Sequence, residues 1–199
     1  LVTYSGPHYS SFGQELYLNY TLDYFKKTFF STEPIKIIPS ESWSDDFWWI
    51  DQTNRNLLKN QGPLVINKGV VSGTPIGANL GTFNLLQGTE FIPSLEDSIL
   101  FIEDDELSTL EIFDRDLQSL IHLPDFNKVQ GLVIGRFQKA SKVTNDLLIK
   151  IIKTKKELDK IPVVANLDFG HTDPKFTIPI GGEAQLKANN GVELIISRF

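Results

Sequence analysis

Two residues in this 199-residue chain sit where chemistry could be done, Glu103 and His171. Each follows a short apolar run. Residues 98–102 lead into the acidic turn Glu103-Asp104-Asp105-Glu106, and residues 161–167 lead into Asp168-Phe169-Gly170-His171. In α/β proteins, ligands and catalytic groups gather at the carboxyl ends of strands, where a rigid sheet holds the loops. A histidine whose tautomer is fixed by an acid is the general-base half of a nucleophilic triad. An acidic turn is more often a solvated surface, however, and one histidine beside a glycine is more often without function. Position alone leaves both readings standing.

The elements that would position these residues follow from periodicity. After the turn Ser5-Gly6-Pro7, residues 14–30 place Leu18, Leu22, Phe25 and Phe29 on one helical face, and Pro34 ends the run. A short strand is expected at 35–38. Residues 40–55 are acidic, aromatic and polar, and they hold all three tryptophans, Trp43, Trp48 and Trp49; they read as a long excursion from the core. Residues 64–72 read as a strand broken at Gly69. Gly69, Gly73, Gly77 and Gly81 recur every four residues. Pro75 and the polar residues between them exclude a membrane-helix dimer motif, so a loop making close backbone contacts is expected, leading into a helix near 78–86.

Residues 98–102 read as a buried strand. Ser108 and Glu111 form a capping box for a helix with Leu110, Phe113, Leu117 and Ile121 inward. A strand at 129–134, an amphipathic helix at 145–158 and a strand at 161–167 follow. Three short strands, at 177–180, 184–187 and 192–197, are separated by Gly181-Gly182 and Asn189-Asn190-Gly191. Strands and helices alternate through the middle, with extra β-structure at the end.

Composition sets the outer limits. The hydrophobic content of 41% and charged content of 22% are ordinary for a globular protein. No run approaches the roughly 20 apolar residues that span a bilayer, and no basic-then-apolar signal pattern opens the chain. A net charge of −6 disfavours broad binding to nucleic-acid polymers, though not a site for one nucleotide. The absence of cysteine excludes a disulfide, a thiolate metal site and a cysteine nucleophile, and suits a reducing cytoplasm. Methionine is also absent, and residues 1–4 read as a strand already inside a fold, so a fragment or excised domain is expected.

Several segments then fall into a known order. Gly73-Thr74-Pro75-Ile76-Gly77-Ala78-Asn79-Leu80, with Leu85 and Gly88-Thr89, precedes Ile99-Leu100-Phe101-Ile102-Glu103-Asp104. Phe113-Asp114-Arg115-Asp116-Leu117 and Gly131-Leu132-Val133-Ile134-Gly135-Arg136-Phe137 come next. Gly170-His171 and Ile178-Pro179-Ile180-Gly181-Gly182 complete the series. Over about the last two-thirds of the chain this order resembles the C-terminal half of the LD-carboxypeptidase family of serine peptidases, which includes the microcin C immunity proteins.

The resemblance implies a single α/β domain over residues 1–199, of the swivelling β/β/α type. It implies that Glu103 orients His171, that His171 deprotonates a serine, and that neither a metal nor an organic cofactor takes part. The family's nucleophile lies on a Gly-Tyr-Ser-Asp turn in a preceding domain, and this sequence has no such turn. Tyr4-Ser5-Gly6-Pro7 resembles the family's later Tyr-Gly-Pro segment, so Ser5 is not expected to be the nucleophile. Two-thirds of a triad is therefore expected here, and the chain alone is expected to be inactive.

Asp45-Asp46-Phe47-Trp48-Trp49 resembles the loop with which the microcin C immunity branch stacks the base of peptidyl- or aminoacyl-nucleotide substrates. Trp48 and Trp49 are the expected platform, ahead of Trp43; the competing reading is that the tryptophans pack the loop onto the domain. Asn79 is expected to line the cleft, with an ordinary polar helix start as its alternative. His8 and His122 lie in no metal spacing, no calcium-loop pattern supports an ion at 103–106, and Asp114-Arg115-Asp116 reads as a surface ion-pair network.

The expected parent is a cytoplasmic hydrolase that cleaves a peptidyl-nucleotide antibiotic. Action on murein tetrapeptide ranks second, and an inactive ligand-binding or self-associating domain, including a homodimer, ranks third. The expected partners are small substrates and the absent N-terminal domain, with no nucleic-acid polymer and no membrane.

Overall fold

A computed structural model describes residues 1–198. In chain order, β1 (Thr3–Ser5) leads through a 3₁₀ turn to α1 (Asn19–Phe30) and β2 (Ile35–Ile37). The excursion holds the two-residue strands β3 (Ser42–Trp43) and β4 (Leu58–Lys59), and β5 (Leu64–Asn67) and β6 (Gly69–Asn79) follow. Next come α2 (Leu80–Asn84), β7 (Ser98–Glu103), α3 (Leu110–Ile121), β8 (Gly131–Gly135), α4 (Asn145–Thr154) and β9 (Val163–Leu167). The chain finishes with β10 (Ile178–Ile180), β11 (Glu183–Ala188) and β12 (Val192–Arg198).

Eight strands form one mixed sheet in the order β2-β12-β11-β6-β7-β8-β9-β5. Its centre, β6 to β9, is parallel, and antiparallel strands extend it on both sides. All six residues of β7 and all five of β8 are buried, as strands covered on both faces must be. Alternation sorts their side chains into two cores. Leu100, Ile102, Leu132 and Ile134 pack with Phe83, Phe113, Leu117, Leu148 and Ile152 of the helices. Ile99, Phe101, Val133 and Val164 face the other way, toward Tyr24, Phe169, Phe176 and the antiparallel strands. The result is the expected mixed α/β domain, with α2, α3 and α4 on one side and α1 with the added β-structure on the other.

Three local expectations are corrected. Gly69, Gly73 and Gly77 of the glycine repeat lie in an 11-residue strand rather than a loop, with Gly81 in α2: β6 pairs with β11 up to Gly73 and with β7 from Thr74 onward. Glycine is needed because a Cβ at Gly73 would lie 2.5 Å from the Asp97 carbonyl oxygen, and one at Gly77 only 1.7 Å from that of Phe101. The glycines signalled close backbone contact, and the sheet itself makes that contact.

The first helix starts at Asn19, later than expected, and buries Thr21, Tyr24 and Thr28. Its predicted apolar stripe lies outward, where Phe25 and Phe29 meet Phe12 and Tyr4. Tyr24 takes the core position because its hydroxyl reaches the backbone of Lys36 and Ile38 while its ring is buried. Finally, α3 is capped by Thr109, whose Oγ1 accepts from the Ile112 N–H at 3.4 Å, one residue beyond the predicted Ser108.

Candidate active site

Parallel neighbours end on the same side of a sheet, so β7, β8 and β9 bring their carboxyl ends together. β7 ends at Glu103, β8 runs into Arg136-Phe137-Gln138, and β9 runs into Asp168-Phe169-Gly170-His171. His171 Nδ1 lies 2.6 Å from Glu103 Oε2. Glu103 is almost wholly buried, whereas the His171 side chain is 47% exposed.

Two glycines make this approach sterically possible. Gly170 has φ +93°, and a Cβ there would meet Glu103 Oε2 at 2.6 Å. A Cβ at Gly135 would meet Glu103 Cβ at 2.8 Å. Only glycine adopts such a φ without strain, so Gly170 both turns the chain and clears the space.

A Glu103 carboxylate accepts from Nδ1–H, which leaves Nε2 of neutral His171 as the lone-pair nitrogen. Nε2 has no hydrogen-bond partner among the described residues. The hydrogen bond that His171 donates to Glu103 raises the His171 pKa above its ordinary 6.5; partial burial and the Lys175 charge oppose this, and Asp105 adds to it. This arrangement can take a proton at Nε2 and stabilise the resulting imidazolium.

The pair opens onto a cleft of about 600 Å³ that Trp48 and Trp49 also line, together with Gln138 and Lys175. Ser5 and His8 line it from the N-terminal segment. Neither Ser5 nor any other described serine is hydrogen-bonded to His171. Asn79 stands opposite Glu103 in the β6–β7 register but does not line this cleft. Its side chain accepts from the Thr82 N–H, capping α2, and donates to Asp104 Oδ1 at 3.2 Å. His122 lies on the far end of α3, and among the described residues no cluster of three His, Cys, Asp or Glu could hold a metal.

The tryptophan excursion is fastened to the same strand ends. Asp168 accepts from the Ser40 N–H at 2.8 Å and from Asn60, and pairs with Arg136 at 3.1 Å. Burial pushes the Asp168 carboxyl upward, while Ser40 and Arg136 hold it down. The Arg136 guanidinium lies 4.9 Å from the Trp43 ring, so Trp43 packs the loop onto the domain. Asp45 accepts from the Lys139 N–H at 2.6 Å, and Arg55 bonds Asp173 at 3.1 Å.

Trp48 and Trp49 are edge-on to one another, and Trp49, 64% exposed, stacks on Phe47 with centroids 4.8 Å apart. Sequence reasoning missed Gln138, Lys175 and the Arg136–Asp168 clamp. Asp168 and Lys175 lie close to the His171 segment already assigned to the site, whereas Arg136 and Gln138 follow β8, whose end no sequence signal had tied to it.

Comparisons with known proteins identify the chain's family. The family described as "LD-carboxypeptidase C-terminal domain" matches residues 72–186. The protein named "Putative carboxypeptidase YocD" from Bacillus subtilis is 54% identical over 195 residues, 98% of this chain and 60% of its own length. "Microcin C7 self-immunity protein MccF" of Escherichia coli is 30% identical over 161 residues, 75% of this chain and 45% of its own length. Among solved structures, an MccF-like protein from Bacillus anthracis superposes with a TM-score of 0.98 at 49% identity, over all of this chain and 62% of its own. MccF in complex with glutamyl sulfamoyl guanosine superposes at 0.83 with 27% identity, again over all of this chain and 62% of its own. The chain thus spans about three-fifths of the length of YocD and of these solved structures. The matched family covers more than half of the chain, and the chain belongs to the LD-carboxypeptidase C-terminal domain family.

Proposed function

We propose that this chain is the base-bearing half of a serine hydrolase that cleaves an amide bond in peptidyl- or aminoacyl-nucleotides. His171 acts as general base through Nε2, Glu103 orients it and stabilises its charge, and a serine outside these 199 residues attacks. The observation that carries the reading is the 2.6 Å Glu103–His171 pair opening onto the same cleft as Trp48 and Trp49. Support for a nucleotide comes from a relative: MccF, 30% identical to this chain, has been solved with glutamyl sulfamoyl guanosine bound. The second reading, an LD-carboxypeptidase acting on murein tetrapeptide, is favoured by the name of YocD and uses the same pair.

The test is hydrolysis of an aminoacyl-nucleotide by the full-length protein and by the 199-residue chain. The full-length protein is expected to turn it over, and His171→Ala to abolish turnover. The isolated chain is expected to be inactive, because a positioned base alone contributes only about 10²–10⁴-fold. Turnover by the isolated chain that Ser5→Ala removes would move the nucleophile into this cleft and overturn the assignment.

A further inference from the structure

Lys175 is hydrogen-bonded to neither Glu103 nor His171, and its charge only opposes the rise in the His171 pKa, yet it lines the cleft that this pair shares with the tryptophans. Its environment is unusual in charge. Asp173 is bonded on one oxygen to Lys175 Nζ at 2.8 Å and on the other to Arg55 Nη2 at 3.1 Å. Two cations therefore share one carboxylate. The Arg55 side chain is 1% exposed and lies behind Asp173, also within reach of Gln14 Oε1 at 3.3 Å; Lys175 is 16% exposed and faces the cleft.

The other carboxylates of the cleft are engaged elsewhere. Glu103 holds His171, Asp45 pairs with Lys139 at 2.8 Å, and Asp46 accepts from the Asn56 N–H. Lys175 is the only lysine or arginine among the described residues that line the cleft. Its backbone is fixed as well, since the Lys175 N–H donates to Thr21 Oγ1 at 3.0 Å. Partly buried charge requires compensation: Asp45 and Asp46 share Lys139 on the far side of the cleft, whereas at Asp173 two cations share one carboxylate, and there an anion from the ligand can supply it.

We propose that Lys175, backed by Asp173 and Arg55, anchors an anionic group of the substrate while His171 works on the adjoining amide. The anchor takes a carboxylate or a phosphoryl oxygen, which offer the same charge and the same acceptor atoms. A peptide ending next to the scissile bond supplies the first, and a nucleotide linked through phosphorus supplies the second. Lys175 is thus a specificity-determining residue, since it requires charge on the leaving side. The inference rests on the hydrolase reading of this cleft.

The test uses the full-length protein and two pairs of substrates. One pair is a peptide with a free terminal carboxylate and its carboxamide twin. The other is an aminoacyl phosphoramidate nucleotide and its uncharged phosphorus-ester twin. Lys175→Gln is expected to lower kcat/KM for the charged member by about 10- to 100-fold, chiefly through KM, as for loss of a hydrogen bond to a charged group. The uncharged twin serves as the folding control and is expected to stay within about 2-fold, with Lys175→Arg recovering most of the loss on the charged member.

A loss confined to the carboxylate pair names a terminal carboxylate as the anchored group, and a loss confined to the phosphoryl pair names the nucleotide linkage. Equal losses on charged and uncharged twins, or no loss on any substrate, overturn the proposal. His171→Ala run alongside keeps the two ideas apart. Persistent turnover in that variant refutes the hydrolase reading, whereas a charge-blind Lys175→Gln with a dead His171→Ala refutes only the anchor.

Discussion

The two walls of the cleft are held by different physics. Glu103 and His171 stand on strand ends, and what fixes them is backbone: a parallel register, buried neighbours and two glycines without which Glu103 would collide. The tryptophan wall has much less backbone pairing among the described residues: β3 with β4, and an isolated bridge in which Ser44 and Asp173 exchange N–H···O=C bonds of 2.8 and 2.9 Å. Beyond that bridge it is held by side chains, through Asp168 on Ser40 and Asn60, Arg136 against Trp43, Lys139 on Asp45 and Arg55 on Asp173. One wall cannot move without moving the sheet; the other can be loosened one clamp at a time. Under the proposed function, a rigid chemical side and a more loosely attached recognition side would allow substrate preference to vary while the base stays in place.

That comparison breaks most sharply at Glu103. Glu103→Gln in the full-length protein is expected to lower kcat/KM by about 10³–10⁴-fold, because Nδ1 loses its orienting, charge-stabilising partner. The acid limb of the pH profile provides a second readout. The base works when neutral, so activity falls as pH drops through the His171 pKa, and in the native pair that inflection is expected above the ordinary 6.5. Glu103→Gln removes the main cause of the upward shift and is expected to move the inflection down. A profile that keeps its inflection after the substitution would show that Glu103 does not tune His171. Gly170→Ala should approach the same loss, since its Cβ would occupy the space of Glu103 Oε2.

The same contrast explains what could be read from the sequence. The backbone-held wall was legible: Glu103 and His171 each follow an apolar run, and runs of that kind have no place except a buried strand. The extra β-structure at the end was legible from its turn residues. The glycine series was misread because the spacing reports close contact without saying what is contacted, and the neighbour proved to be β7. The outward stripe of α1 was misread because Tyr24, polar at its tip, outcompeted the phenylalanines for the core. The clamps were not legible. Arg136 and Asp168 are 32 residues apart, and Ser40 lies 128 from Asp168; no local pattern encodes such pairings.

The next effect in size belongs to those clamps. Arg136 and Asp168 have side-chain exposures of 7% and 3%, so Asp168→Ala leaves a buried guanidinium without its partner. A loss of about 3–5 kcal/mol in unfolding free energy is expected, measured by urea or thermal denaturation. A loss below about 1 kcal/mol would place the pair among weak surface bridges and remove the basis for treating the loop as clamped. Hydrogen exchange resolves the comparison further. Amides around Ser40 and Asn60 are expected to lose protection in this variant before those of β7 and β8, because part of their attachment runs through Asp168 and that of the strands does not.

The smallest expected effect is the one that separates the substrates. Trp49 already stacks on Phe47 and presents much of its surface, and Trp48 meets it edge-on within the same cleft as His171. If this is a base platform, Trp48→Ala or Trp49→Ala in the full-length protein removes one stack, worth about 1–3 kcal/mol, or roughly 5- to 150-fold in kcat/KM for an aminoacyl-nucleotide. A murein tetrapeptide carries no nucleobase, so its hydrolysis is expected to change little. Glu103→Gln damages both reactions and supplies the control for the chemical wall, while Trp43, engaged with Arg136, supplies the control for the loop. Trp43→Ala acts on attachment rather than on stacking, so it is expected to weaken both substrates together. Equal losses on the two substrates after the Trp48 or Trp49 changes would make those residues part of the attachment too, and would shift the function to the carboxypeptidase. Loss on the nucleotide alone would mean that the more loosely attached wall is where this protein reads its substrate.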